Sequence, residues 1–295
     1  MSGQFIVVGV DESDVAAEAA HWAAEEAGRR HCELRLVHAF TLPAIAGYPE
    51  FSSEADDLPD VMRRAGEDLV GHLIAELRRD HPGLVISSRV LYARPPTALR
   101  AESAGALLTV VGSGGESRLQ DVLLGSVALA VMSTCPAPVG VVRHGHPGRS
   151  GGPVVVGVDG AGTCDAAVAF AFEAASIRQT ELVAVGIWDD VVVPGSRHLQ
   201  NPLIDPARIE EEERSRLSER VAHWADRFPD VKVRQVVERG RAVVRLLEQA
   251  EPAQLVVVGS HGRGGFTGML IGSTSQALVV HSAAPVVVVR DPSRS

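Results

Sequence analysis

The stretch Ile6–Asp11, IVVGVD, returns as Val154–Asp159, VVVGVD, identical at five of six positions. Working outward, Leu108–Ser113 (LTVVGS) returns as Leu255–Ser260 (LVVVGS), again at five of six, and Ala137–Arg143 (APVGVVR) returns as Ala284–Arg290 (APVVVVR), at six of seven. The offset is 148 residues at the first landmark and 147 at the others, so the halves of this 295-residue chain differ by a net single residue. Matches in constant order at a nearly constant offset mark a duplicated domain rather than a shared composition. An ordinary domain of roughly 150 residues agrees with that reading. The duplication predicts domains over 1–147 and 152–295. The linker between them is about His144–Pro153, HGHPGRSGGP, whose glycines and prolines cannot continue a strand.

Within each half, short valine-rich runs alternate with longer helical patterns. In the second half the runs fall at 154–158, 182–187, 231–237, 254–259 and 285–290, with helical stretches near 163–178, 206–227, 241–250 and 273–282. Apolar runs without polar alternation read as strands buried on both faces, and βαβα order implies a parallel sheet with helices on each side. The predicted fold class is therefore α/β: two tandem, doubly wound, Rossmann-like sheets of five parallel strands. Ligands of such sheets sit at the carboxyl ends of the strands, near a topological switch point. Two segments, 41–58 and 189–205, fit neither pattern and read as binding loops or lids.

Composition narrows the function. The net charge of −9 opposes the phosphate backbone of nucleic acids, so no nucleic-acid partner is expected. Lys232 is the single lysine among 28 Lys plus Arg, so a side-chain cation reaching a phosphate would be an arginine. Three cysteines, Cys32, Cys135 and Cys164, are an odd number without a Cys-x-x-Cys pair, which indicates neither a disulfide framework nor a zinc site. No run of 18 apolar residues occurs and the N-terminal stretch reaches an acid at Asp11. A cytoplasmic protein without a membrane partner is expected.

After the fourth strand of each half comes the pattern G-x2-G-x9-G-[ST]. It reads Gly112, Gly115, Gly125, Ser126 in the first half and Gly259, Gly262, Gly272, Ser273 in the second. Glycines let backbone N–H groups turn inward, and the helix that follows adds unpaired donors and the positive end of its dipole, which together suit a phosphate. Ser126 and Ser273 sit where a hydroxyl could cap the helix and also donate to a phosphate oxygen.

These loops, the VVGVD openings and the APV(x)VVR endings resemble the universal stress proteins in their tandem two-domain form, over essentially the whole chain apart from 41–58 and 189–205. The resemblance implies strand order 3-2-1-4-5, a pseudo-twofold pairing of the domains through the fifth strands, ATP in each competent domain, and a role in stress adaptation. Magnesium is expected with the triphosphate, and further homodimerisation of the tandem chain is compatible with the family. Carried over, the acid that ends the first strand faces adenine, giving Asp11 with Gly9 and Val10, and Asp159 with Gly157 and Val158. A helix N-cap is the competing role for both aspartates. The base also packs near Val37 and Ala39, or Val185, with Asp190 a candidate for the ribose. The phosphates fall on Gly112, Ser113, Gly114, Gly115 and Arg118 with Gly125, Ser126 and Val127. In the second half they fall on Gly259, Ser260, His261, Gly262, Arg263, Gly264 and Gly265 with Gly272, Ser273 and Thr274. The second half keeps both extra family glycines, Gly264 and Gly265, where the first has Ser117 and Arg118, so the second site is the expected stronger one.

Rival readings lack their motifs. A P-loop needs G-x-x-x-x-G-K-[ST], and the lone lysine lies in a predicted strand. Dinucleotide binding needs G-x-G-x-x-G after the first strand, and neither half completes it there. An interaction module without nucleotide, or a slow ATPase for which the sequence names no general base, are the alternatives.

Overall fold

A computed structural model describes residues 4–42, 58–114, 124–146, 151–159, 164–188, 205–260 and 271–290. The chain divides into two compact units, Met1–Pro147 and Gly148–Ser295. In unit 1 the elements are β1 (Phe5–Gly9), α1 (Asp14–Arg29), β2 (Glu33–Phe40), α2 (Leu58–Asp80), β3 (Ile86–Tyr92), α3 (Pro95–Glu102), β4 (Leu108–Gly112), α4 (Ser126–Thr134) and β5 (Val139–Val142). Unit 2 repeats the order with β6 (Val154–Val158), α5 (Asp165–Ile177), β7 (Leu182–Trp188), α6 (Pro206–Ala225), β8 (Val233–Arg239), α7 (Ala242–Ala250), β9 (Leu255–Gly259), α8 (Ser273–His281) and β10 (Val286–Val289).

Strand order is β3-β2-β1-β4-β5 in unit 1, and unit 2 has the matching order β8-β7-β6-β9-β10. Each sheet is parallel, with β1 between β2 and β4 and β6 between β7 and β9. The valine runs follow from this placement. Central strands are covered on both faces, so Ile6, Val7 and Val8, like Val154, Val155 and Val156, are fully buried. The strand order reverses at β1 and β4, and the crevice beyond their carboxyl ends is the switch point where such folds bind ligands.

Helix α1 buries a stripe of small residues, Ala16, Ala19, Ala20, Ala23 and Ala27, at spacings of three and four. Just past its end lies His31, at φ 50°, as Gln179, at φ 50°, lies just past the end of α5, 148 positions later. In both, the next N–H caps the helix, Cys32 donating to the Ala27 carbonyl and Thr180 to the Ala175 carbonyl at 3.1 Å. The helix starts, Asp14 and Asp165, are 151 apart instead. With the offset at 148 on both sides, α5 therefore starts three residues later than α1 and is 13 residues long in place of 16.

Two sequence expectations shift. The eighth strand runs from Val233 and not from 231, because Val231 closes a turn onto the Phe228 carbonyl. Lys232 therefore precedes the strand, although its carbonyl accepts from the Leu182 N–H at 2.9 Å. The acidic run Glu210–Glu213 occupies the second turn of α6, whose cap is Asp205, and it pairs with Arg208, Arg214 and Arg216. Most of 41–58 and 189–205 lies outside the described residues. Among those described, no helix is long and apolar enough to cross a membrane.

Candidate functional site

A cleft of about 470 Å³ opens beyond the carboxyl ends of β1, β2 and β4 in unit 1. That volume falls in the range of small-molecule sites. Of the residues singled out in sequence, Gly9, Val10, Asp11, Val37, Ala39, Gly112, Gly114, Gly125, Ser126 and Val127 line it. Ser113 stands behind the wall: its N–H donates to the Val142 carbonyl at 2.8 Å and its carbonyl accepts from the Gly125 N–H at 2.7 Å. Gly115 and Arg118 lie outside the described residues.

One end of the cleft is built by β1 and β2. Asp11 is exposed, and its Oδ1 accepts from the N–H of Ser13 at 3.0 Å and from the Ser13 hydroxyl. Ser13, not Asp11, caps α1, its Oγ accepting from the Ala16 N–H at 3.3 Å. The capping alternative for Asp11 is thereby settled. Across from it, backbone direction alternates along β2. Val37 turns its carbonyl to β1, receiving the Val10 N–H at 3.0 Å, and Phe40 turns its carbonyl the other way, to the Ala93 N–H at 3.0 Å. The N–H and C=O of Ala39 therefore face the β1 side, beyond the point where β1 ends. One donor and one acceptor lie side by side at the wall of the cleft, which the exposed Asp11 also lines.

The other end is built by α4. Its cap is Gly125, extended at φ −61° and ψ 148°, with no side-chain cap bond. Ser126 is the first helical residue, so the expectation that it caps the helix is corrected, and Ser273 of α8 stands the same way behind Gly272. The reason is the Gly125 N–H bond to Ser113, which holds the glycine extended at the strand end; Gly272 makes the same bond to Ser260 at 2.7 Å. The first intrahelical bond of α4 runs from the Leu129 N–H to the Gly125 carbonyl at 3.0 Å. The N–H groups of Ser126, Val127 and Ala128 precede it and point out of the helix start, where the dipole is positive.

Between the ends the floor is apolar. Leu99 and Pro95 of α3, Val15 and Ala16 of α1, and Val111 of β4 complete it. Leu99 presses on β1: a Cβ built on Gly9 would lie 2.8 Å from its Cδ1. Sequence reasoning missed Leu99 and Pro95, although Leu246 recurs 147 positions later against Gly157.

In unit 2, Gly157 and Val158 on β6, Asp159 just after it and Val185 on β7 take the corresponding places, while Gly259 ends β9 and Ser260 follows it. Ser273 and Thr274 open α8, which the Ser275 hydroxyl ties to the Gly259 carbonyl at 2.7 Å. Asp190, His261, Gly262, Arg263, Gly264 and Gly265 lie outside the described residues. The cap of α5 is Cys164, without a side-chain cap bond; its thiol pKa is pushed up to about 11, by burial first and then by the nearby Asp159 carboxylate.

The model of the Universal stress protein family matches twice, at residues 4–143 and 152–290. A universal stress protein of Mycolicibacterium smegmatis is 37% identical over 294 residues, covering 97% of this chain and 96% of its own. One from Mycobacterium tuberculosis is 36% identical over 295 residues, with the same coverage. Among solved structures, a universal stress protein from Archaeoglobus fulgidus shares the fold, with a TM-score of 0.67 at 17% identity, over 100% of this chain and 98% of that one.

Proposed function

The chain belongs to the universal stress protein family in tandem form, and from that premise we propose that it binds ATP and acts as a nucleotide-dependent regulator in stress adaptation. The observation that carries the reading is the polarity of the unit 1 cleft. At one end stand the Ala39 N–H and C=O with the Asp11 carboxylate, and at the other the three outward N–H groups of α4. Adenine presents a ring acceptor beside an exocyclic amine, which pairs with a backbone donor and acceptor and leaves a second amine hydrogen for a carboxylate. A phosphate chain complements the helix N-terminus. The apolar floor of Val15, Val111 and Leu99 suits the face of a purine.

Among the described residues no group of three His, Cys, Asp or Glu could hold a metal ion. Magnesium would then enter on the phosphates, with water completing its shell. The repeated Gly272 to Ser260 bond supports a second site of the same kind in unit 2. The proposal places the protein in the cytoplasm, where ATP is available, with its switching segments in 41–58 and 189–205.

Calorimetric titration with Mg-ATP and Mg-GTP tests the binding. Guanine offers an acceptor where adenine has its amine and a donor where adenine has its ring acceptor, so ATP should bind about a hundredfold more tightly. Equal affinity would contradict the assignment of the base end. Hydrogen exchange in 41–58 and 189–205 that ATP leaves unchanged would remove the switch.

A further inference from the structure

The two units differ at one residue of the second strand. In unit 1 the β1–β2 ladder ends at the pair Gly9↔Val37. In unit 2 the β6–β7 ladder runs one pair further, to Val158↔Gly186, the counterparts of Val10 and His38 at an offset of 148. By the alternation of a parallel ladder, that extra pair is closed by the Ile187 N–H donating to the Val158 carbonyl. The same rung in unit 1 would run from the Ala39 N–H to the Val10 carbonyl. There, the Val10 carbonyl accepts from His38 Nδ1 at 3.0 Å.

Room for the imidazole comes from α2. A Cβ built on Gly66 would sit 2.7 Å from His38 Cδ2 and 3.0 Å from a methyl of Val90, so only glycine leaves the ring where it is. At Gly186 no side chain competes for the carbonyl, and the space above it meets Leu217 at 3.6 Å. A second difference points the same way. Ala39 lines the unit 1 cleft, and its counterpart Ile187 carries three more carbons at the same place in the strand.

We propose that His38 makes the two nucleotide sites unequal: by holding the Val10 carbonyl it leaves the Ala39 N–H open to a ring acceptor of the base in unit 1, whereas the Ile187 N–H is bonded inside the sheet of unit 2. His38 is a positioning residue, since it acts through Val10 and Ala39 and touches no ligand atom. The inference rests on the reading of the cleft as an adenine nucleotide site. It assigns base discrimination to unit 1, against the expectation from the glycine loops that the second site is the stronger, and leaves unit 2 tolerant of purines that lack the ring acceptor.

Amide exchange by NMR on the full chain, free and with ATP or 1-deaza-ATP, tests it, together with the affinities of both nucleotides. In the free protein the Ala39 amide exchanges at least about tenfold faster than that of Ile187; ATP slows it, and 1-deaza-ATP, which lacks the acceptor, does not and binds unit 1 about tenfold more weakly. In His38→Gly the Ala39 amide is protected without ligand and the preference for ATP disappears. Gly66→Ala, which displaces the ring and keeps the residue, gives the same result should His38→Gly fail to fold. Protection of Ala39 equal to that of Ile187 in the free wild-type protein, or equal affinity for the two nucleotides, overturns the inference and leaves nucleotide binding standing. Absence of binding by either nucleotide overturns both.

Discussion

The N–H of Gly125 donates to the carbonyl of Ser113 at 2.7 Å, joining the first residue of one helix cap to the last turn of a strand. The contact is close enough that a Cβ on Gly125 would lie 3.0 Å from the Gly114 Cα and 3.3 Å from the Ser113 oxygen. Backbone on both sides cannot yield as a side chain tip would. Gly125→Val should therefore shift the start of α4, weakening ATP binding in unit 1 at least about tenfold and lowering stability by about 1 to 3 kcal/mol. Calorimetry and urea denaturation read the two effects separately, and unchanged affinity would detach the glycine from the site.

Ser13 does two things at the base end, capping α1 and holding Asp11. Ser13→Ala removes the acceptor for the Ala16 N–H and should cost about 1 kcal/mol. It also releases the Asp11 carboxylate, so affinity for ATP should fall while selectivity over GTP narrows. A shift in the urea midpoint at constant slope, with a changed ATP to GTP ratio, is the expected pair of results.

Much of the fold was legible because the duplication fixes correspondences that a single copy would leave open. The valine-rich runs that open IVVGVD and VVVGVD read as strands buried on both faces, and their first three residues are fully buried in β1 and β6. The strand order came through the family resemblance carried by the two glycine patterns. What the sequence hid was set by hydrogen bonds between distant residues. Gly-Ser offers two caps in succession, and only the Ser113 carbonyl, twelve positions before Gly125, decides for the glycine. His38 looks like one more residue of a strand until Gly66, on the next helix, is seen to make room for it. Ser13 caps α1 with its hydroxyl, whereas Cys164, the counterpart of Ala16 at the offset of 148, caps the shorter α5 without a side-chain bond.

Cys164 yields a prediction for pH. Its thiol is raised from 9.0 to about 11 in the folded unit by burial first, with Asp159 adding to it. The folded state thus favours the neutral thiol. Stability from this group is fully present below pH 9 and declines as pH rises from there towards 11. Denaturation of unit 2 should grow easier over that window, and Cys164→Ala should flatten the trend. At neutral pH the native thiol should resist alkylation until the unit unfolds.

Glu26 is fully buried on α1 and pairs with Arg29 at 2.9 Å and with Arg30, itself 3% exposed. Its counterpart in unit 2 is Ala174, whose carbonyl accepts from Arg178 at 3.2 Å. Glu26→Ala strips a buried guanidinium of its carboxylate and should destabilise unit 1 by about 3 kcal/mol, seen as a lower thermal midpoint for that unit alone. Ligand affinity measured below that midpoint should be unchanged, since the pair lies at the far end of α1 from Ser13.

The most direct test of the account is native mass spectrometry of the chain titrated with Mg-ATP, with the released nucleotide identified by chromatography after acid denaturation. The account predicts a first ATP bound per chain at low concentration, its affinity lowered at least about tenfold by Gly125→Val, and a second filling at higher concentration. A chain that remains free of nucleotide at saturating Mg-ATP would contradict it.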